Sequence, residues 1–125
     1  MPRASAKSSF MNGIPELLIL RVLARGEMYG YDLVRAIREQ TEQAINLGEG
    51  VVYPTLHALE VAGALKSKRK TVNGRSRVYY AITPAGSRRL TTLVGTWTQL
   101  ASAIQGVLGG GRGVRREFDQ HAAAG

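Results

Sequence analysis

Gly50-Val51-Val52-Tyr53-Pro54-Thr55-Leu56-His57-Ala58-Leu59-Glu60, followed after 61–64 by Leu65-Lys66-Ser67-Lys68-Arg69-Lys70-Thr71-Val72-Asn73-Gly74-Arg75-Ser76-Arg77-Val78-Tyr79-Tyr80-Ala81-Ile82, is the stretch on which the fold turns. Its first half has helical spacing. Val52, Leu56, Leu59 and Gly63 fall on one side, Pro54, His57, Ala58 and Val61 opposite, with Val51 and Thr55 at a flank. That predicts a helix over 49–62, in which the Pro54 ring crowds only the carbonyl of flexible Gly50. Gly63 is placed to stop it. The second half changes period. Asn-Gly is the strongest short signal for a type I′ hairpin loop, because both central residues need positive φ. With Asn73 and Gly74 as the loop, Val72 pairs with Arg75, Lys70 with Arg77 and Leu65 with Ile82. Alternation then places Lys66, Lys68, Lys70, Arg75 and Arg77 on one face and Leu65, Arg69, Val78, Tyr80 and Ile82 on the other.

Like charges opposed across a hairpin weaken it, so this face makes more sense with an anionic partner. A solvated edge hairpin that uses lysine to block aggregation is the competing explanation. Charge distribution favours the first. From 61 to 116 there are eleven Lys or Arg and no Asp or Glu, whereas 13–65 holds four basic against seven acidic residues. The formal charge of +8 is therefore local to the hairpin and the C-terminal half, as a polyanion-binding surface requires.

A chain of 125 residues makes one domain with flexible ends and a modest core, often completed by association. The absence of cysteine excludes disulfides and thiolate metal sites, and His57 and His121 have no metal-ligand spacing. No cofactor motif occurs: no Gly-rich loop follows a strand, and Ser, His and carboxylates assemble into no triad spacing, so an enzyme is not expected. No apolar run approaches the ~18 residues that span a bilayer, and no apolar segment follows Arg3 and Lys7 as in a secretory signal. A cytoplasmic location without membrane contact is the expectation.

Around the central stretch the remaining elements follow. Residues 1–12 read as a flexible arm. Pro15 opens a buried first helix through Leu17 to Ala24, ended by Gly26. Tyr29-Gly30 reads as a turn, and Tyr31 to about Ala44 as a second helix with Leu33, Val34 and Ile37 inward. Thr83 and Pro84 are the N-cap and first residue of a last helix. Its apolar residues recur in heptads, with Leu90, Trp97 and Ile104 at one position and Leu93, Leu100 and Val107 among those at the other. Three heptads describe a helix-pairing seam, the alternative being a helix packed on its own domain. The expected organisation is an arm (1–12), a DNA-binding domain (13–83), a dimerisation helix (84–108) and a disordered tail (109–125). The fold class is mainly α with a two-stranded β-wing: a winged helix-turn-helix plus a long C-terminal dimerisation helix.

From Pro15 to Leu108 the chain resembles the PadR-like transcriptional regulators, in the short subfamily with one C-terminal helix. The resemblance is carried by Leu17-Leu-Ile-Leu-Arg-Val-Leu-Ala-Arg-Gly, Tyr29-Gly-Tyr-Asp-Leu, Gly50-Val-Val-Tyr-Pro-Thr-Leu-His-Ala-Leu-Glu, Gly63-Ala-Leu, Tyr79-Tyr-Ala-Ile-Thr-Pro-Ala-Gly and Trp97. It implies a homodimeric repressor of a palindromic operator, bound to double-stranded DNA. Tyr53, Pro54, Thr55 and His57 would lie on the helix in the major groove, and Lys66 to Arg77 in the wing on the flanking backbone. Tyr80 and Ile82 match wing-root core positions. The resemblance also implies, for some members, a planar aromatic effector stacked on a tryptophan placed like Trp97, for which core packing is the competing role.

The helix over 49–62 holds no Arg, Asn or Gln, the commonest base-reading side chains. Sequence preference would then rest on His57, Thr55, thymine-methyl contacts through Val51 or Ala58, and DNA shape. An architectural or RNA-binding winged helix without sequence preference, and a winged helix that docks an acidic protein, are the other functions compatible with this composition.

Overall fold

The computed structural model describes residues 13–109; the expected arm (1–12) and the tail beyond Gly109 lie outside them. Helix α1 (Ile14–Leu23) carries Pro15 in its first turn, where a backbone N–H is not needed, and buries Ile19, Leu20, Val22 and Leu23. Helix α2 (Gly30–Gln40) turns Leu33, Val34 and Ile37 inward. It stops short of the Ala44 expected because Thr41 intercepts the last turn. Its hydroxyl donates to the Ile37 carbonyl at 2.8 Å and accepts the Ile45 N–H at 3.1 Å, while Glu42 and Gln43 take left-handed φ of 52° and 71°.

Helix α3 (Glu49–Val61) buries Val52, Leu56 and Leu59, as its spacing required. Gly63, at φ 82°, reverses the chain in a Schellman motif: its N–H reaches the Glu60 carbonyl at 3.0 Å and that of Ala64 the Leu59 carbonyl at 2.8 Å. Strands β2 (Leu65–Val72) and β3 (Arg75–Ile82) pair in the expected register, from Val72 opposite Arg75 to Leu65 opposite Ile82. Both loop residues have positive φ, 51° at Asn73 and 77° at Gly74, as a type I′ loop demands.

The hairpin belongs to a larger sheet than its sequence indicated. In place of the turn expected at Tyr29-Gly30, Met28–Tyr29 forms a strand (β1) antiparallel to β3, with Met28 opposite Tyr80 and Tyr29 opposite Tyr79, and Gly30 begins α2. The order is β1-β3-β2, so the two-stranded wing extends from a three-stranded sheet. A two-residue strand is too short to show alternation in sequence; its partner strand creates it.

Helix α4 (Pro84–Leu108) is tied at its start to the turn after α3. The Thr83 hydroxyl accepts the Gly86 N–H at 3.0 Å and donates to the Gly63 carbonyl at 2.6 Å, and the Thr83 N–H donates to the Ala64 carbonyl at 3.0 Å. Gly86 is required there, since a Cβ would sit 2.1 Å from the Ala64 carbonyl oxygen. The core centres on Ile19, Leu20 and Leu23 from α1, Leu33 and Ile37 from α2, and Val52, Leu56 and Leu59 from α3, with Leu65 and Leu90 also buried. The described chain divides into two compact units at Thr91/Thr92, beyond the expected boundary after Thr83. The first turns of α4 belong to the winged-helix unit because Gly86 and Leu90 are buried.

Candidate nucleic-acid interface

Helix α3 presents to solvent the side opposite its buried row. Val51, Tyr53, Pro54, His57, Ala58 and Val61 are exposed and Thr55 is half-buried. The Thr55 hydroxyl donates to the Val51 carbonyl at 2.7 Å, which fixes its rotamer and leaves its lone pairs outward as acceptors. Tyr53 is braced from below. Its ring lies over Gly30 so closely that a Cβ there would come within 2.9 Å of Cε1. Burial, with the Glu49 carboxylate next, pushes the Tyr53 hydroxyl above its ordinary pKa and keeps it a neutral hydrogen-bond donor. The candidate base-facing residues therefore share one exposed helix face, held by Tyr53 against the first residue of α2.

The wing is electrostatically more structured than alternation suggested. Ser67, on the face opposite the lysines, donates to Glu60 Oε2 of α3 at 2.6 Å, and burial together with Glu60 raises the Tyr80 hydroxyl pKa. That face joins the sheet to α3. Lys66, Lys68, Lys70, Arg75 and Arg77 leave the other face of the sheet, where the register also places Tyr79 and Tyr29. Two of these cations are engaged within the chain. Lys70 Nζ is ion-paired with Glu27 and lies 4.7 Å from the centroid of the Tyr79 ring. The Arg77 guanidinium lies 4.8 Å from the Tyr29 centroid. The opposed pair Lys70 and Arg77, expected to need an external anion, is thus partly relieved by Glu27 and two aromatic faces. Lys66, Lys68 and Arg75 are exposed and have no ion pair among the described residues.

Glu27, Tyr29 and Tyr79 join the wing although the hairpin's charge pattern does not include them. Tyr79 was within reach, since the period that gathers Arg75 and Arg77 also includes it. Glu27 carries no local signal, being 43 residues from Lys70. The hydrogen bond from Lys70, opposed by some burial and helped by the charges of Lys70, Lys68 and Lys66, holds its carboxyl below the usual value of 4.5. Arg69, on the α3-facing side, donates to Ser76 Oγ at 3.0 Å.

Along α4 the expected seam residues divide. Leu90 is 7% exposed, so its side chain is already covered within one chain and the winged-helix unit uses it as core. Leu93 is half-buried. In the second unit Trp97 is 49% exposed, Leu100 and Ile104 53% each, and Val107 and Leu108 are still more open. Glycine at 95 and 106 supplies no apolar cover of its own. Among the described residues no helix is long and apolar enough to cross a membrane, and no cluster of His, Asp or Glu is arranged to hold a metal ion.

Known proteins share this architecture. The model of the transcriptional regulator PadR-like family matches residues 19–92, from the second half of α1 through α2, α3 and the sheet to the start of α4. The transcriptional regulator Rv3488 of Mycobacterium tuberculosis is 35% identical over 97 residues, covering 78% of this chain and 88% of the relative. Among solved structures, a transcriptional regulator from Clostridium thermocellum superposes with a TM-score of 0.72 at 29% identity, over 78% of this chain and 95% of its own. A PadR-like transcriptional regulator from Bacillus cereus gives 0.70 at 25% identity, over 81% and 97%. With its exposed helix face and cationic wing, this chain belongs to the PadR-like family of transcriptional regulators, which are non-enzymatic DNA-binding proteins.

Proposed function

We propose that the protein is a homodimeric repressor of a palindromic operator. Helix α3 reads the major groove through Val51, Tyr53, Pro54, Thr55 and His57, while Lys66, Lys68, Lys70, Arg75 and Arg77 serve the flanking phosphates. Residues 84–108 act as the dimerisation helix, with Leu93, Trp97, Leu100, Ile104 and Val107 in its seam and Leu90 shared with the core. The observation that carries the dimer is the row Trp97, Leu100 and Ile104, each about half exposed in a single chain. Large apolar side chains repeated at heptad spacing gain free energy by burial against a second helix. As a regulator of DNA it works in the cytoplasm.

Mapping of bound DNA in the native host tests this function. The result expected is an inverted repeat with half-sites about 34 Å apart, or a multiple, bound more than ~10³-fold tighter than random duplex. Deleting the gene should raise transcription from those promoters. The absence of Arg, Asn and Gln from α3 favours one second function, an architectural winged helix. A specificity ratio near one would select it. A planar aromatic effector stacked on Trp97 completes the proposal. Such a compound would quench the chain's single tryptophan, and operator DNA would weaken its binding by the same factor by which it weakens DNA binding. Quenching unaffected by operator would remove the effector.

A further inference from the structure

We infer that Glu27 is a built-in phosphate surrogate, a carboxylate that occupies Lys70 of the free wing and that a nucleic-acid phosphate must displace. The inference rests on DNA binding by the wing. Glu27 immediately precedes β1, and pairing of Met28 with Tyr80 brings it to the lysine-bearing face of the sheet. There it ion-pairs with Lys70, with Lys68 and Lys66 close enough to act on its charge. The wing and everything after it to 116 contain no acid, so the counter-charge comes from the other end of the domain. Tyr79 lies under the same ammonium. Lys70 therefore has a carboxylate on one side and a ring face on another, the two kinds of partner that satisfy a cation without water. Both partners of the ion pair are partly exposed, 36% and 38% at their side chains. A pair so placed is weak enough to exchange for a phosphate.

The consequence is attenuation. Nucleic acid gains little net charge neutralisation at Lys70, because that charge is already balanced, while Lys66 and Lys68 attract phosphate at full strength less the field of the same carboxylate. Glu27 also offsets part of the like charge that Lys70 and Arg77 oppose to one another across the hairpin. These two roles predict opposite effects of its removal. A surrogate, once removed, lets polyanions bind more tightly; a mere brace, once removed, loosens the wing and weakens them.

The experiment compares wild type, Glu27→Gln, Lys70→Ala and the double variant on random-sequence duplex over a salt series, and on immobilised heparin. Glu39→Gln, an exposed acid on α2, controls for net charge. Glu27→Gln should bind random duplex about 2- to 5-fold more tightly than Glu39→Gln. Its log–log salt slope should be no shallower than that of wild type, since Lys70 reaches its phosphate in both complexes. The gain should vanish in the Lys70→Ala background. Affinity equal to that of Glu39→Gln, affinity below wild type, or a gain that persists without Lys70 would each overturn the surrogate. If no variant binds duplex but Glu27→Gln elutes from heparin at higher salt than Glu39→Gln, the surrogate stands and DNA binding by the wing fails. If wild type binds duplex and Glu27→Gln matches the control on both supports, DNA binding stands and the surrogate fails.

Discussion

Leu100→Glu is the most demanding test of the proposed assembly. Leu100 is 53% exposed in a single chain, between Trp97 at 49% and Ile104 at 53%. Full burial of such a side chain stabilises by about 1.5–3 kcal/mol, so covering the exposed half contributes about 1 kcal/mol, or about 2 kcal/mol over the two copies. The substitution removes that and places a carboxylate in each half of the seam. An uncompensated buried charge costs about 3–5 kcal/mol. Taking the lower figure and halving it for water at the helix rim leaves a total near 5 kcal/mol for the pair. The dimer dissociation constant should then rise more than about 10³-fold. Leu100→Ala, which loses only the apolar contribution, should raise it about 30-fold. Light scattering at micromolar concentration reads the mass, and operator titration reads the consequence, since a monomer forfeits the second half-site. Leu100 lies in the unit that begins at Thr92, so thermal unfolding of the winged-helix unit serves as a folding control. A variant that stays dimeric, or a monomer that keeps full operator affinity, would refute the seam.

Four further outcomes are expected. Gly86→Ala should destabilise by about 1–3 kcal/mol, because its Cβ meets the Ala64 carbonyl oxygen at 2.1 Å; an unchanged melting temperature in calorimetry would contradict the close approach. His57→Ala and Thr55→Ala should each weaken operator binding by about 1–3 kcal/mol where a base contact is lost, with smaller effects on random duplex; equal losses on both would move sequence reading elsewhere. Lys68→Ala and Arg75→Ala should weaken all duplexes alike and lower the salt slope by about 0.9 for each phosphate contact removed, whereas unchanged slopes would take the wing out of the interface. Glu27 should titrate below 4.5 in an NMR pH series, and return toward that value in Lys70→Ala. Because its folded pKa is lowered, the tie to Lys70 adds stability above 4.5 that is lost as pH falls through the lowered value; a midpoint at or above 4.5 in the wild type would contradict the pairing.

The elements legible in the sequence share a property: each is decided by neighbours within a few residues. Asn73-Gly74 sets the loop through two φ angles, and that loop sets the register of all eight pairs of β2 and β3. Thr83, Pro84 and Gly86 define a helix start by capping geometry, and Gly63 a helix stop by its left-handed conformation. The buried row Val52, Leu56 and Leu59 follows from helical periodicity, and with it the exposed face bearing His57.

Where partners are distant in sequence, only the folded chain decides. Met28–Tyr29 becomes a strand because β3 lies beside it, where the local residues Tyr29-Gly30 point only to a turn. Leu90 fits a heptad as well as Trp97 does, but it lies within reach of the winged-helix core and is buried there, while Trp97 stays exposed. The same division runs through the charges. Alternation placed Lys70 and Arg77 face to face, a property of the hairpin alone. Which anion and which rings relieve them depended on the sheet bringing Glu27 and Tyr29 to that face, and ion pairs and cation–π contacts have no periodicity to announce them in sequence. Backbone geometry is written locally and survives in the sequence; the pairing of side chains across a sheet exists only once the chain has closed on itself.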